Sequence, residues 1–509
     1  YHSLSWVLGK KKLVISATVI LLVGSFVTLL SMGQSFLPDF NEGSATISAV
    51  AKPGVSLEVN NQLGNLIETE LLKIPEVTAT ARRTGRGELD EHSQATNSAE
   101  IDVQFVLKDR SRDEVFNDMR KCMASIPGIA ATVGQPLGHR IDHMLSGTRA
   151  SIAIKLFGTD ISRMYMIGNQ IKSEIEGIDG LVDVSVEQQT ETPQLQVRAN
   201  RAALAKYGIT MEHFNKFIEL AFAGVRLSDV YEGQRSFDLI LRLNKNYTES
   251  IEDVKNALID TGDGGKVPLS EVAEIVSVGG PNTVSRENVQ RKLVVSANVS
   301  GRDLGSAVDD IRSKIEETIK LPEGYRVEYG GQFESAQSAT RTLALTTVIA
   351  IFVIFLLLYG EFKSASLSGI VLITLPLALI GGVFAVAATS GVVSIPSIIG
   401  FITLFGVATR NGILLISKYK HLQEEGEPLR QTVLDGSIDR LNPILMTALT
   451  SALALIPLII NGDKPGNEIQ SPMAVVVLGG LLTSTLLNIY VMPIIYEWYA
   501  KRKNKNTKK

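Results

Sequence analysis

Arg410 is the one charged residue well inside any long apolar stretch of the chain, in the run FGVATRNGILLISKY that begins at Phe405. An unpaired charge in hydrocarbon costs roughly 3 kcal/mol or more, so a carboxylate partner from elsewhere is expected. Asn411 beside it, and Thr447 in the next apolar stretch, add polar groups at matching depth. The other reading is that Arg410, seven residues before Ser417 at the end of its stretch, snorkels to the interface.

A second set of residues suits metal chemistry. His139 and His143 are four apart and would share one face of a helix, and Met144 follows directly. Imidazole suits zinc, nickel, cobalt or divalent copper, whereas a thioether suits monovalent copper. No third ligand is in view, so a polar loop stays open as the alternative. Met119, Met123, Met164 and Met166 fall on helical patterns and are expected in cores. Cys122 is the only cysteine, which rules out an internal disulfide or a thiolate metal cluster. It is expected as a small buried residue of an amphipathic helix over 112–126.

These residues need elements to hold them. The chain has 509 residues, 45% of them hydrophobic, with mean hydropathy +0.16, which points to membrane-embedded parts. Six stretches are long and apolar enough to span a bilayer: 13–31, 343–359, 367–389, 395–417, 444–460 and 473–496. Lys10, Lys11 and Lys12 precede the first, Lys418 and Lys420 follow the fourth, and Lys501, Arg502 and Lys503 follow the sixth. Those ends are therefore expected in the cytoplasm, with residues 33 to 340 outside. Residues 428–440 read as a helix along the cytoplasmic surface or as a solvated connector. The first apolar stretch reads as a retained helix rather than a signal peptide, and further sequence is expected before Tyr1.

Within the external segment, strand, helix and strand recur. Residues 44–51, 57–73 and 77–83 form one such set, completed by 101–107 and 112–126. Residues 151–157, 161–175 and 181–188 form another, completed by 293–299, 304–319 and 325–329. This is the split βαβ rhythm, twice in tandem, with an insertion over 198–283. A net charge of −3 gives no basic field for nucleic acid. No nucleophile motif or phosphate loop appears, so an enzyme is not expected, and neither is a cofactor.

Several strings resemble the resistance-nodulation-division exporters. GGQFE at Gly330, VPLSEVAEI from Val267 and RENVQR from Arg286 look like that family's porter and docking segments. The run from Phe405 resembles its tenth span, and RLNPILMTALTSALALIPL from Arg440 its eleventh. The resemblance covers essentially the whole chain and implies the C-terminal half of a proton-driven pump. It implies an α+β membrane protein: six transmembrane helices plus a periplasmic domain of two ferredoxin-like βαβ porter repeats with an inserted docking subdomain. The divisions are a cytoplasmic flank and first helix at 1–32, a first porter repeat at 33–146, and a second at 147–197 and 284–340. A docking-like insertion occupies 198–283, five further helices 341–498, and a basic cytoplasmic tail 499–509.

By the same resemblance, Arg410, Asn411 and Thr447 complete a proton relay whose aspartates lie in the other half. Drug exporters have Lys followed by Asn at the first two positions, and copper pumps have Glu at the first. Arginine stays charged under physiological conditions, so here it could serve only as a fixed counter-ion. HRIDHMLSGTRASIAIKLFG from His139 resembles the heavy-metal-efflux branch, whose copper and silver pumps read RIDMLSTG. Their metal-binding Met aligns with His143, next to Met144. The expected substrate is a heavy-metal cation, with hydrophobic or amphiphilic compounds as the alternative. A protein-translocation accessory subunit is the more distant rival. Implied partners are two more copies in a homotrimer, a periplasmic adaptor protein, an outer-membrane channel and membrane lipid, in a Gram-negative inner membrane.

Overall fold

A computed structural model describes residues 2–38, 40–85, 96–146, 150–187, 191–244, 250–281, 283–462 and 464–507. The chain divides into two compact units, residues 1–187 with 285–509, and residues 188–284.

In the larger unit, Ser44–Ala51 is a central strand because its small and β-branched residues fit between neighbours, and almost all of it is buried. It pairs antiparallel with Ser98–Phe105 on one side and Ile129–Gly134 on the other, and Val77–Thr84 adds to the far edge of Ser98–Phe105. Two helices cover this sheet. Leu57–Leu71 starts where the Ser56 hydroxyl accepts from Val59 N, and Arg112–Ala124 starts at a capping box of Ser111 and Glu114. They bury Ile67, Leu71, Val115, Met119 and Met123 against Ile47, Ile101 and Val103. Cys122 is half-buried at the edge of this core, not fully enclosed as expected.

The second sheet repeats the order. Ile152–Phe157 is central, between Gln290–Val299 and Arg326–Gly331, and Leu181–Val186 pairs with Gln290–Val299. Its helices, Ile161–Ile175 and Leu304–Thr318, are capped by Asp160 and Asp303. Met164 is buried in this core, whereas Met166 is exposed, a correction to its expected core position. Two positions along the helix rotate a side chain by about 200°, which turns Met166 to solvent.

Six helices among the described residues are long and apolar enough to cross a membrane: Lys11–Ser31, Gln332–Phe362, Ala365–Ala388, Ile395–Glu424, Leu429–Ile460 and Gln470–Lys503. They are numbered one to six below. The segment expected as a separate helix over 428–440 is instead continuous with the fifth, in a helix that carries Pro443 inside it. The second grows directly out of the last strand of the second sheet. At the junction Gly331 has φ +88°, and a Cβ there would lie 2.5 Å from the Ser151 carbonyl oxygen. Only glycine serves this turn.

Glycines also let the helices approach. A Cβ at Gly381 of the third would lie 2.1 Å from the Gly479 carbonyl oxygen of the sixth. The fourth packs along the sixth through Gly400 against Val476, Leu404 against Gly480, and Tyr419 against Tyr496 with ring centroids 5.0 Å apart. The smaller unit has its own core around Leu204, Phe214, Ile259 and Val272, a long antiparallel ribbon of Glu191–Ala199 with Ala273–Pro281, and an exposed hairpin of Val225–Glu232 with Arg235–Leu241.

Candidate functional site

The stretch expected to carry metal ligands is a helix, Pro136–Ser146, between the two sheets in sequence. Its register sorts the candidates. His139 and Asp142 lie one turn apart, are each 6% exposed, and line a cavity of about 490 Å³. Met144 is 80% exposed, turned away from His139 and Asp142. The His143 backbone belongs to the helix, and its side chain lies outside the described residues. Arg120, Asn298, Asp303 and Gln332 are among the other residues of the cavity wall, which draws on both sheets' layers.

Asp142 is the chemically distinctive group. Its carboxylate accepts from the Gln332 amide at 2.7 Å, and Gln332 is the first residue of the second membrane helix. Burial pushes the Asp142 carboxyl up to about 6, with the Gln332 bond opposing the rise. Asp183 sits nearby at φ 55°, accepting from Arg120 at 3.2 Å and from the Asn298 amide at 3.0 Å. It ties a helix of the first layer to strands of the second. Lys155 in the second sheet bonds Glu287 at 3.0 Å and lies 3.7 Å from Glu334 in the first turn of the second membrane helix. Lys292 and Lys155 hold the Glu287 carboxyl below its usual value.

In the membrane helices, Arg410 and Asn411 point apart. Arg410 is exposed on the fourth helix, and Asn411 is 1% exposed and faces inward. Lys418 pairs with Asp439 at 2.9 Å, which sets the antiparallel register of the fourth and fifth helices. Arg410 is eight residues before Lys418 and Thr447 eight after Asp439, so the two lie at the same depth. The Thr447 hydroxyl donates to the Ile444 carbonyl at 3.0 Å.

Sequence reasoning missed Asp142 and Gln332 as a pair because 190 residues separate them. It also missed Asn488 and Thr485, buried in the sixth helix. Their polarity inside an apolar run was the available signal. Among the described residues, no group of three or more His, Cys, Asp or Glu side chains is arranged to hold a metal.

Comparison with known proteins adds the following. A model of the AcrB/AcrD/AcrF family matches residues 1–500. The cation efflux system protein CzcA of Alcaligenes sp. (strain CT14) is 34% identical over 489 residues, covering 93% of this chain and 46% of that protein. The nickel and cobalt resistance protein CnrA of Cupriavidus metallidurans is 32% identical over 486 residues, with 93% and 45% covered. A crystal structure described as that of a heavy metal efflux pump, crystal form II, superposes with a TM-score of 0.82 at 28% identity, over 98% of this chain and 51% of that one. The chain spans about half the length of the curated relatives it matches. With the match running from the first helix into the last and the fold in agreement, the chain belongs to the AcrB/AcrD/AcrF family of resistance-nodulation-division transporters.

Proposed function

We propose that this chain is the C-terminal half of a proton-driven inner-membrane pump that exports heavy-metal cations. The observation that carries the reading is the buried Asp142 carboxylate beside His139 in a cavity at the foot of the two sheets. A buried carboxylate and an imidazole suit zinc, cobalt or nickel better than monovalent copper. The relatives' names, cation efflux and nickel and cobalt resistance, support the same class. His143 and Met144 occupy the next positions of the same helix, and His143 is the residue proposed to complete the site. A transit site must also release its ion, so a sparse protein ligand set with water in the remaining positions is appropriate.

Each sheet, with its first strand central and two helices on one layer, is read as a ferredoxin-like porter repeat, and residues 188–284 as the docking subdomain. The exposed hairpin of that subdomain, with Tyr231, Phe237 and Ile240 open, supports assembly there with other subunits, an adaptor and a channel. In the membrane, Arg410 acts as the fixed cation for the relay carboxylates of the other half, with Thr447 at its depth, while Asn411 extends the relay from the inward side of the same helix. The external segment faces the periplasm, a reading that the lysine-flanked helix ends support.

The test is growth of a pump-deleted strain carrying the complete protein across a panel of metals and dyes. Protection against zinc, cobalt or nickel is expected, with His143→Ala lowering it at unchanged protein level. Protection against dyes and no metal would move the assignment to hydrophobic compounds, for which the Arg410–Asn411 pair already resembles drug exporters.

A further inference from the structure

The fourth and sixth membrane helices share a seam whose middle is polar. On the fourth, Gly400, Leu404, Ala408, Asn411, Leu415 and Tyr419 recur at three- and four-residue spacing, one helical face. On the sixth, Val476, Gly480, Ser484, Asn488, Met492 and Tyr496 recur every four residues, a row that winds slowly around the helix. The Leu404 side chain meets Gly480 and the Tyr419 ring meets that of Tyr496. Asn411 is eight residues before Tyr419, and Asn488 is eight before Tyr496, so the two residues lie at the same level of the paired helices.

Both are enclosed, Asn411 at 1% and Asn488 at 0% exposure, and the Oδ1 of each has no hydrogen-bond partner. Thr485 Oγ1, one turn before Asn488 and 5% exposed, is likewise unpartnered. The Asn488 amide nitrogen is already committed to Ser484 Oγ at 3.2 Å. Buried polar groups left unpaired are costly, and enclosed waters characteristically take such sites with two to four hydrogen bonds each. If either amide is turned over, donors replace acceptors, and water serves both cases.

We propose that Asn411, Asn488 and Thr485 form a buried hydration site whose ordered water is part of the proton route of this half. It rests on the pump reading above and extends it to the sixth helix. A water there donates to Asn411 Oδ1 and Asn488 Oδ1. Asn411 is next to Arg410 in the chain, so the site joins the face that carries the relay cation to the interior of the bundle.

The alternative is an asparagine that only sets helix register, and the experiment separates the two. The complete pump, with Asn488 as found and as Asn488→Leu or Asn488→Ser, is purified, imaged at a resolution that reveals water, and reconstituted in liposomes with a trapped pH dye. Water density between Asn411 and Asn488 is expected, present also in Asn488→Ser and absent in Asn488→Leu. Zinc-driven proton flux is expected to survive in Asn488→Ser and to be lost in Asn488→Leu. Thermal stability should run the other way, with Asn488→Leu at least as stable as the parent because it removes an unsatisfied polar group. Absence of the water in the unmutated pump, or full flux in a stable Asn488→Leu, overturns the proposal, as does flux that merely follows stability across the series. A parent pump that shows the water and moves no protons overturns the proton-route role and the pump reading together. Flux in the parent with no water present overturns the hydration site alone.

Discussion

Asp142 is held as an anion at a cost that a cation would relieve. Its carboxyl is raised to about 6, so the folded chain holds a proton that the unfolded chain releases above the ordinary aspartate value of 3.8. That contribution to stability is full below 3.8 and is lost as pH rises through about 6. Zinc binding to the complete protein is therefore expected to weaken as pH falls through about 6, and Asp142→Asn to abolish both that dependence and zinc-induced thermal stabilisation. Calorimetry of zinc binding across that range measures it, and unchanged zinc affinity in Asp142→Asn would remove Asp142 from the site. Arg410→Ala is expected to stop export with folding and insertion preserved, because the relay carboxylates lose their cation and remain protonated. Full metal resistance in that variant would mean that Arg410 only snorkels. At this scale Arg410 stood out in the sequence as a charge in an apolar run, and Asn411 and Thr447 were named through the resemblance to the family's relay. It passed over Asp142, whose significance comes from burial against Gln332, a contact that no local pattern encodes.

Helix and strand positions were legible wherever one face is buried and the other open. Ile161–Ile175 has the bounds its periodicity predicts, and the helix expected over 112–126 ends within two residues of that point, at Ala124. Ile129–Gly134 was not legible, because its alanines and glycine carry no strand signature even though the strand closes the first sheet. The fusion of 428–440 with the fifth helix was also hidden, since Arg440 and Pro443 read as a boundary. A proline interrupts a helix only where its ring and missing donor cannot be accommodated, and there the chain continues through it. Close helix contact gives a sharper test. Gly381→Val would drive a side chain into the Gly479 carbonyl and Thr483, whereas Gly369 has nothing within 4 Å of its Cβ position. The first substitution is expected to destabilise the detergent-purified protein by about 1–3 kcal/mol or more and Gly369→Val by far less, read as thermal midpoints. Equal midpoints would mean that the third and sixth helices do not meet there.

For the whole molecule, the expected assembly is a trimer, and mild-detergent purification of the complete protein with mass measurement decides it. A monomer as the only species would remove the trimer on which the adaptor and channel proposals rest. The junction at Gly331 bears on how such an assembly would work. The second membrane helix is unbroken for 31 residues, so at about 1.5 Å per residue it is about 46 Å long and exceeds a bilayer core of about 30 Å by roughly 16 Å. Its first turn is clasped by Asp142 and lies beside Lys155, and its far end buries Leu358 and Phe362 among the other helices. A helix hydrogen-bonded along its whole length and free of interior proline is stiff, so displacement at one end reaches the other as in a lever. A tilt of about 5° around the bilayer centre, roughly 31 Å from that first turn, carries it about 2–3 Å, and with it the Gln332 amide that holds Asp142.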